Sequence, residues 1–306
     1  MRDARVLVTG GAGFIGSNLA NHLARENDVI ALDDGYLGTP ENLDDGVEYH
    51  ERSVLEKDLP TDVDVVFHLA ALSSYAMHED DPTTGARVNV EGFVNTVDQA
   101  RKEGCDTVVY ASTSSIYGSR TEPSPENMDV TVNTGYEASK MARETYAEYF
   151  HNHYGLSMAG MRFFSVYQGY GGAEEHKGEY ANVIAQFADD IAHGERPKLY
   201  GDGTQTRDFT HVRDIVRGLV LAAEHQLTGV YNLGTGEAYS FNTVVEMLND
   251  ELGTDVDPAY VENPIPEDVY VHDTCADPSK MYDETGWEPQ ISFEEGIRRV
   301  CEQYRA

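Results

Sequence analysis

A tyrosine and a lysine four residues apart, Tyr136 and Lys140, have the residue types and spacing that most directly suggest chemistry. They open a helix-like segment, and residues four apart share one helical face. A free phenol has a pKa of about 10, too high for a base at neutral pH, but a neighbouring ammonium group favours the phenolate. The pair therefore predicts a general base. The alternative is a surface tyrosine and lysine that have this spacing by chance.

A run of hydroxyl side chains precedes this pair. Ser112, Thr113, Ser114 and Ser115 come directly after the strand-like segment 107–111. The carboxyl ends of parallel strands border the ligand crevice of an open sheet, so these hydroxyls are predicted to face a ligand. Serine-rich turns without any such role are also common, and this alternative stays open.

A glycine-rich turn near the N-terminus predicts where a nucleotide binds. The apolar segment 5–9 runs directly into Gly10, Gly13 and Gly16, and a helix-like segment follows at 17–25. Glycines at these places permit a tight turn, the approach of a pyrophosphate and close helix–strand packing, while the helix N-terminus attracts phosphate.

The second strand-like segment ends at Asp33, 17 residues after Gly16. A carboxylate at this place accepts hydrogen bonds from the ribose 2′-hydroxyl of a dinucleotide. The same charge would repel a 2′-phosphate, and positions 34–40 contain no arginine to bind one. The sequence therefore predicts NAD rather than NADP.

Strand-like and helix-like segments alternate through the first half of the chain, which predicts an α/β fold with a doubly wound parallel Rossmann sheet. The predicted strands are 5–9, 29–32, 47–50, 63–69, 107–111 and 158–164, and the predicted helices are 17–25, 87–102 and 136–153. Later come a helix at 183–193 and short strand candidates at 198–200, 230–233 and around residue 260. We expect an NAD-binding domain over 1–165 and a smaller C-terminal α/β substrate lobe over 166–306, with some chain crossing back to the sheet.

The charge balance restricts the partners of the protein. Its 306 residues include 54 Asp and Glu against 22 Lys and Arg, a formal net charge of −32. Such a surface repels nucleic acid and anionic membranes, and it resembles the acidic surfaces of halophilic proteins. The sequence shows no signal peptide, no apolar run long enough to span a membrane, and three cysteines without metal-ligand spacing. We expect a cytoplasmic protein that needs no metal.

The motifs occur in the order found in one family. They are the glycine turn, Asp33, residues 68–71, 112–118, the Tyr136/Lys140 pair, and residues 162–164, 207–209 and 232–236. Together they resemble the extended short-chain dehydrogenase/reductases, in the nucleotide-sugar epimerase and dehydratase group, and within it most of all the UDP-glucose 4-epimerases. The resemblance implies a tightly held NAD that is reduced and reoxidised in each cycle and a nucleotide-diphosphate sugar as substrate. It also implies a homodimer that pairs the helices beginning near Arg87 and Tyr136.

The resemblance implies roles for individual residues as well. Tyr136 takes the place of the family's base, Lys140 that of its partner, and Thr113 that of the hydroxyl that bonds the reacting sugar. The implied cofactor contacts are Gly10, Gly13, Phe14, Ile15, Gly16, Asp33, Asp34, Ser53, Val54, Leu69, Ala70, Ala71, Asn89, Ser112, Tyr136, Lys140 and Phe163. The implied substrate contacts are Ser73, Ser114, Tyr136, Ser165, Arg207 and Thr274, with Arg207 on the diphosphate.

Some positions depart from the family pattern. Dehydratases of the group carry an Asp-Glu pair where this chain has Ser114 and Ser115, and the related decarboxylases commonly keep the Glu. The family's Asn after Arg-Tyr-Phe is Ser165 here. Glu267 and Asp268 stand where a second phosphate-binding arginine is expected, so the diphosphate must be held differently in detail.

The combined interpretation is an NAD-dependent epimerase acting at C4 of UDP-glucose or UDP-galactose, or of their N-acetyl forms, through a 4-keto intermediate. The resemblance to 4-epimerases implies that Thr274, three residues before Asp277, borders the sugar's 2-position, where its small side chain leaves room for an N-acetyl group. One alternative is an epimerase at another carbon, such as C6 of an ADP-heptose, which residues 175–178 resemble. The others are a nucleotide-sugar dehydratase and a non-catalytic NAD-binding protein on the same fold.

Overall fold

The computed structural model describes residues 1–267 and 269–305, so Asp268 lies outside the described residues. The strands are β1 (Arg5–Thr9), β2 (Asp28–Asp33), β3 (Val47–Glu51), β4 (Val65–His68), β5 (Thr107–Ala111), β6 (Ser157–Phe163), β7 (Val166–Tyr167), β8 (Lys198–Tyr200), β9 (Thr206–Arg207), β10 (Thr210–His211), β11 (Gly229–Leu233), β12 (Tyr239–Ser240) and β13 (Ala259–Val261).

The α-helices lie between these strands and after them. They are α1 (Phe14–Leu23), α2 (Ala76–Glu79), α3 (Pro82–Ala86), α4 (Gly92–Lys102), α5 (Gly135–Tyr154), α6 (Val183–Ala192), α7 (Val212–Glu224), α8 (Phe241–Leu252), α9 (Ser279–Thr285) and α10 (Phe293–Glu302). Short 3-10 turns occupy Pro40–Asn42, Ser115–Tyr117 and Glu175–Tyr180.

A seven-stranded sheet with the order β11-β6-β5-β4-β1-β2-β3 forms the centre of the molecule, and all its neighbouring pairs are parallel. The strand order reverses direction between β1 and β4, where Thr9 is in register with His68. In doubly wound sheets ligands bind outside the carboxyl ends of the strands at such a reversal. The predicted fold class is confirmed.

Helices cover both faces of this sheet because successive strand residues point to opposite sides. On β4, Phe67 packs into a core with helices α1 and α7, while Val66 packs into a second core with α4 and α5. A third core lies among α6, α8 and α10 and contains Phe187, Phe241 and Phe293. Since this third core contains no strand of the central sheet, it is the apolar interior of the C-terminal lobe.

Two details differ from the sequence expectation. The predicted helix 87–102 begins with a π-helical segment, Arg87–Glu91, before α4 starts at Gly92. Strand β11, which we grouped with the candidate strands of the smaller lobe, instead extends the central sheet beside β6. The chain thus returns to the central sheet at residues 229–233. A return to the sheet was expected, but we had not assigned it to this strand. The division of the chain after residue 165 stays a prediction.

Across residues 1–267 and 269–305, no helix combines the length and the apolar character needed to cross a bilayer.

Candidate active site

A cleft of about 740 Å³ opens at the carboxyl edge of the central sheet. Residues that directly follow β1, β4 and β5 line it, namely Gly10, Leu69 and Ser112. Asp33, the last residue of β2, lines it as well. The strand ends therefore form the floor of one elongated cleft.

The glycine turn forms the end of the cleft beside β1. Gly10 has a φ of +66°, a conformation that favours glycine, and a Cβ on Gly16 would lie 2.0 Å from the Gly10 carbonyl oxygen. The N-cap residue of α1 is Gly13, which brings no side chain to the first N–H groups of the helix. The turn is thus a cradle that a Cβ would fill, and the helix N-terminus beside it suits a phosphate.

Asp33 lies next to this cradle and is buried. Its carboxylate accepts hydrogen bonds from the backbone N–H groups of Ala12 at 3.1 Å and Gly35 at 3.0 Å. Burial raises the pKa of Asp33, and these backbone hydrogen bonds oppose that rise.

Arg52 is a cation in the cleft wall that the sequence analysis did not consider. Its guanidinium donates to the Glu56 carboxylate at 3.0 Å and to the carbonyls of Lys57 and Asp58 at 2.7 and 2.8 Å. These partners use three of the five N–H groups and hold the guanidinium in this place, which leaves Arg52 less free to bind a 2′-phosphate. The fit of the cradle and Asp33 is to NAD.

Tyr136 and Lys140 lie together at the other end of the cleft, in the first two turns of α5. The helix begins with a capping box between Thr134 and Glu137, which fixes where its first turn starts. The Lys140 ammonium lies 5.7 Å from the centre of the Tyr136 ring and donates to the Ala111 carbonyl at 3.1 Å. Tyr136 and Lys140 therefore lie on the same face of the helix, as their spacing predicted.

The electrostatics of the pair are set by burial. Burial raises the pKa of Tyr136, while a hydrogen bond with the Thr113 side chain and the positive charge of Arg143 lower it. Burial and the neighbouring Arg143 charge hold the pKa of Lys140 well below its usual range. Arg143 is thus a second buried cation close behind the pair.

The hydroxyl run after β5 divides between the site and the protein interior. Thr113 bonds Tyr136 and also accepts a hydrogen bond from the backbone N–H of Ser115. The Ser112 hydroxyl instead donates to Glu144, a residue of α5, at 2.5 Å. Glu144 forms a buried bidentate ion pair with Arg162 at 2.9 and 2.7 Å, which ties β5, α5 and β6 together behind the site.

Most of the predicted contact residues line the cleft. They are Gly10, Gly13, Phe14, Ile15, Gly16, Asp33, Asp34, Val54, Leu69, Ala70, Ala71, Ser73, Ser112, Thr113, Tyr136, Lys140 and Phe163. This agreement concerns position, and their individual roles stay predictions.

Ser53, Ser114 and Ser165 do not line the cleft. Asn89 does not either, because it is fully buried: its side chain bonds both backbone groups of Leu72, at 2.8 and 3.0 Å. Asn89 thereby fixes a loop that does reach the cleft. The direct cofactor contact predicted for Asn89 stays a prediction.

Arg207 and Thr274 lie side by side beyond the cleft lining. The Arg207 guanidinium donates to the carbonyls of Thr206, Val271 and His272, at 2.8, 2.5 and 2.7 Å. Thr274 is buried, and its hydroxyl oxygen is 3.4 Å from the Asp208 N–H that donates to it. The substrate contacts predicted for Arg207 and Thr274 stay predictions.

Lys177 is the cleft residue that sequence reasoning most clearly missed. It lines the cleft 5.5 Å from the centre of the Phe14 ring. The buried carboxylate of Glu174 holds its loop by accepting from the N–H groups of Gln168, Gly169 and Asn182. The sequence signal that could have revealed it was a lysine next to a glycine in a chain with few cations.

The described part of the chain contains no group of three or more His, Cys, Asp or Glu side chains that could hold a metal ion.

Known proteins resemble this chain over nearly its whole length. The profile described as the NAD dependent epimerase/dehydratase family matches residues 6–234. The chain belongs to this family. A UDP-glucose 4-epimerase of Mycolicibacterium smegmatis is 33% identical over 315 residues, covering 98% of each chain. The family assignment confirms the predicted enzyme class and NAD dependence.

Solved structures agree over the whole chain. A UDP-N-acetylglucosamine 4-epimerase from Methanobrevibacter ruminantium, in complex with UDP-N-acetylmuramic acid, is 30% identical with a TM-score of 0.91 and 99% coverage of both chains. A Thermus thermophilus UDP-glucose 4-epimerase in complex with NAD is 32% identical, with a TM-score of 0.87 and 99% coverage of both. A Helicobacter pylori ADP-L-glycero-D-manno-heptose-6-epimerase is 28% identical, with a TM-score of 0.88, covering 100% of this chain and 97% of the other.

Proposed function

We propose that the protein catalyses NAD-dependent epimerisation at C4 of a UDP-hexose, UDP-glucose and UDP-galactose or their N-acetyl forms. The observation that carries the proposal is one cleft with a dinucleotide cradle at one end and the Tyr136–Thr113–Lys140 group at the other. The curated and solved relatives named UDP-glucose or UDP-N-acetylglucosamine 4-epimerases support it.

The residues at the cradle end would hold the cofactor. The backbone of Gly10 to Gly16 and the N-terminus of α1 would bind the pyrophosphate, and Asp33 would accept from the ribose hydroxyls. When bound, NAD supplies a reversible hydride acceptor. Arg52 and Val54, which line the cleft wall, would contact the adenine end of the cofactor.

Tyr136 would remove the proton of the sugar's C4 hydroxyl and return it after the sugar has presented its other face. Thr113 would bond the same hydroxyl and orient it, since its side chain already touches the phenol. Lys140, one turn after Tyr136 on the same helix, would hold the tyrosine and the nicotinamide ribose in place. With these roles, one base both removes the proton and returns it.

The residues next to Thr113 favour epimerisation over dehydration. Expulsion of the 6-hydroxyl needs a general acid, and the resemblance puts the dehydratase acids at Ser114 and Ser115. Neither hydroxyl can supply a proton readily at neutral pH.

Lys177 supports a second candidate, an epimerase at C6 of an ADP-heptose. It brings a further titratable group into the cleft, from the segment 175–178 that resembles that subgroup, and the Helicobacter pylori enzyme shares the fold. Epimerisation at C6, which lies farther along the sugar than C4, would benefit from a second proton donor. Its Phe14 neighbour places Lys177 on the α1 side of the cleft.

The homodimer is also a proposal. The exposed face of α5 carries three tyrosines that are 40–46% exposed: Tyr146, Tyr149 and Tyr154. Such a group of aromatic side chains suits a protein interface better than an isolated surface. A cytoplasmic location and a high-salt milieu stay predictions from the sequence.

Direct assay separates the candidate functions. Purified protein would be incubated with UDP-glucose, UDP-N-acetylglucosamine and ADP-heptose, and the products resolved by chromatography. Mass spectrometry of small molecules released from the protein would identify bound nucleotides. We expect NAD and interconversion of UDP-sugars at C4. Turnover of ADP-heptose alone would favour the second candidate, and NAD without turnover would favour a non-catalytic binding protein.

A further inference from the structure

Arg143 is a fully buried cation that the mechanism above does not use. It lies on α5 seven residues after Tyr136, and its side chain is 0% exposed. Its guanidinium donates to the carbonyls of Asn89 at 2.6 Å, Ala70 at 2.7 Å and Ala111 at 3.3 Å. Within residues 1–267 and 269–305, the structure gives Arg143 no carboxylate partner.

A buried guanidinium without a carboxylate is uncommon, because the desolvation of its charge is not offset by an ion pair. The three carbonyls explain why it is nevertheless retained in this position. Ala70 and Ala111 follow or end neighbouring strands of the sheet and line the cleft. Arg143 therefore lies directly behind the cleft wall, and its positive charge acts on the site across one layer of backbone.

Lys140 shares one of these carbonyls, since its ammonium donates to Ala111 at 3.1 Å. Two buried cations at one acceptor disfavour each other's charge. Burial lowers the pKa of Arg143 to about 10, which leaves it charged at neutral pH. The pKa of Lys140, by contrast, lies well below its usual range. Of the two, the arginine is the stronger base, and it keeps its charge at neutral pH.

We propose that Arg143 is a positioning residue whose permanent charge favours the phenolate of Tyr136, a contribution that the sequence pattern assigned to Lys140 alone. The inference rests on the proposed function in taking Tyr136 as the base. The Arg143 guanidinium also fixes Ala70 and Ala111, so it aligns the cleft wall with the helix that carries the tyrosine.

The other groups around Tyr136 do not replace this charge. The His78 ring of α2 packs edge-on against the Tyr136 ring at 5.7 Å, and burial lowers the pKa of His78. His68 at the end of β4 is fully buried, which lowers its pKa well below the usual range. Both imidazoles are therefore neutral at pH 7. Glu137 on α5, Tyr110 on β5, and Asp80 and Asp81 in the cleft wall also face this region and carry no positive charge. Lys177 is a further cation of the cleft, but it lies beside Phe14 on the α1 side.

The test measures the ionisation of Tyr136 itself. The near-ultraviolet absorbance of phenolate would be titrated with pH in the NAD-loaded protein, and the same titration of a Tyr136→Phe protein subtracted to remove the other tyrosines. Arg143→Gln removes the charge but keeps amide donors, and Arg143→Lys keeps the charge. Lys140→Met removes the other cation.

We expect Arg143→Gln to raise the pKa of Tyr136 by about one unit, the lower end of the range for a nearby opposite charge, because the charge of Arg143 lowers that pKa. The acid limb of the pH–kcat profile should move upward with it. Arg143→Lys should restore most of the shift. Lys140→Met should raise the pKa of Tyr136 by less than about one unit, because the arginine is still present.

An unchanged titration in Arg143→Gln would overturn the proposal. If that variant does not fold, Lys140→Met decides alone: a rise of more than about one unit would assign the charge to the lysine and overturn the proposal for Arg143. The titration needs no sugar substrate. Its failure is therefore distinguishable from failure of the proposed function, which turnover by the Tyr136→Phe protein would reveal.

Discussion

Removing one partner of the buried ion pair between Arg162 and Glu144 should strongly destabilise the protein. Their side chains are only 4% and 9% exposed, and Arg162 also donates to the Tyr117 hydroxyl at 2.8 Å and the Glu126 carbonyl at 3.2 Å. Arg162→Met removes four hydrogen bonds and leaves the Glu144 carboxylate buried with Ser112 as its remaining partner. Breaking such a pair from one side costs about 3–5 kcal/mol in the free energy of unfolding.

Urea unfolding in molar salt can measure this loss through the fluorescence of Trp287, the single tryptophan, which is 0% exposed. Arg5→Met is the matched control, because Arg5 pairs with Asp28 at 3.5 Å and both side chains are 45–66% exposed. An exposed pair contributes about 0–1 kcal/mol, so the control should unfold close to the wild type. If Arg162→Met is no less stable than Arg5→Met, the reasoning about the buried pair is wrong.

A double variant tests the cause of the loss. Glu144→Leu combined with Arg162→Met leaves no unpaired buried charge, so it should be more stable than Arg162→Met alone. A double variant that is as unstable as the sum of the single ones would mean that lost packing dominates over the uncompensated carboxylate.

The remaining predictions concern the cofactor, the assembly and the substrate pocket. In a binding titration NAD should bind about tenfold or more tighter than NADP, and Asp33→Ser should narrow the gap; a preference of the wild type for NADP contradicts the assignment. Light scattering in molar salt should give a dimer and Tyr149→Glu a monomer, while a monomeric wild type would refute the interface. Thr274→Tyr should abolish turnover of UDP-N-acetylglucosamine and spare UDP-glucose. A wild type that accepts UDP-glucose but not the N-acetyl sugar ends the size argument for Thr274.

Local patterns sufficed for the cofactor end of the site. The apolar strand β1, the glycine turn and α1 follow one another directly in the chain, and Asp33 ends the next strand. Each of these steps involves neighbouring residues and a strong local preference. The Tyr136–Lys140 pair was equally accessible, because a helix fixes the relation between residues four apart.

Contacts between distant segments were not accessible in the same way. Arg143 gains its three carbonyl partners only when β4, β5 and the π-helical segment pack against α5. Its sequence neighbours indicate an ordinary helical position. Likewise, Glu144 and Arg162 are 18 residues apart in the chain. They meet only because α5 packs against β6.

The limits of periodicity explain the two differences in the fold. Helical spacing of apolar residues over 87–102 does not distinguish a π-helical start from a regular one. The strand β11 is short, and its apolar run suits either the central sheet or a lobe strand. Its pairing with β6 depends on α7, which returns the chain across the sheet beside α1.

Turnover by Tyr136→Phe tests the central claim most directly. The change removes one hydroxyl from the proposed base, and Tyr146→Phe makes the same change at an exposed position of the same helix. With UDP-glucose as substrate, we expect Tyr136→Phe to bind NAD normally and to lose about 10²–10⁴-fold in kcat, and Tyr146→Phe to retain wild-type turnover. Wild-type turnover by folded, NAD-bound Tyr136→Phe would contradict the assignment of Tyr136 as the base.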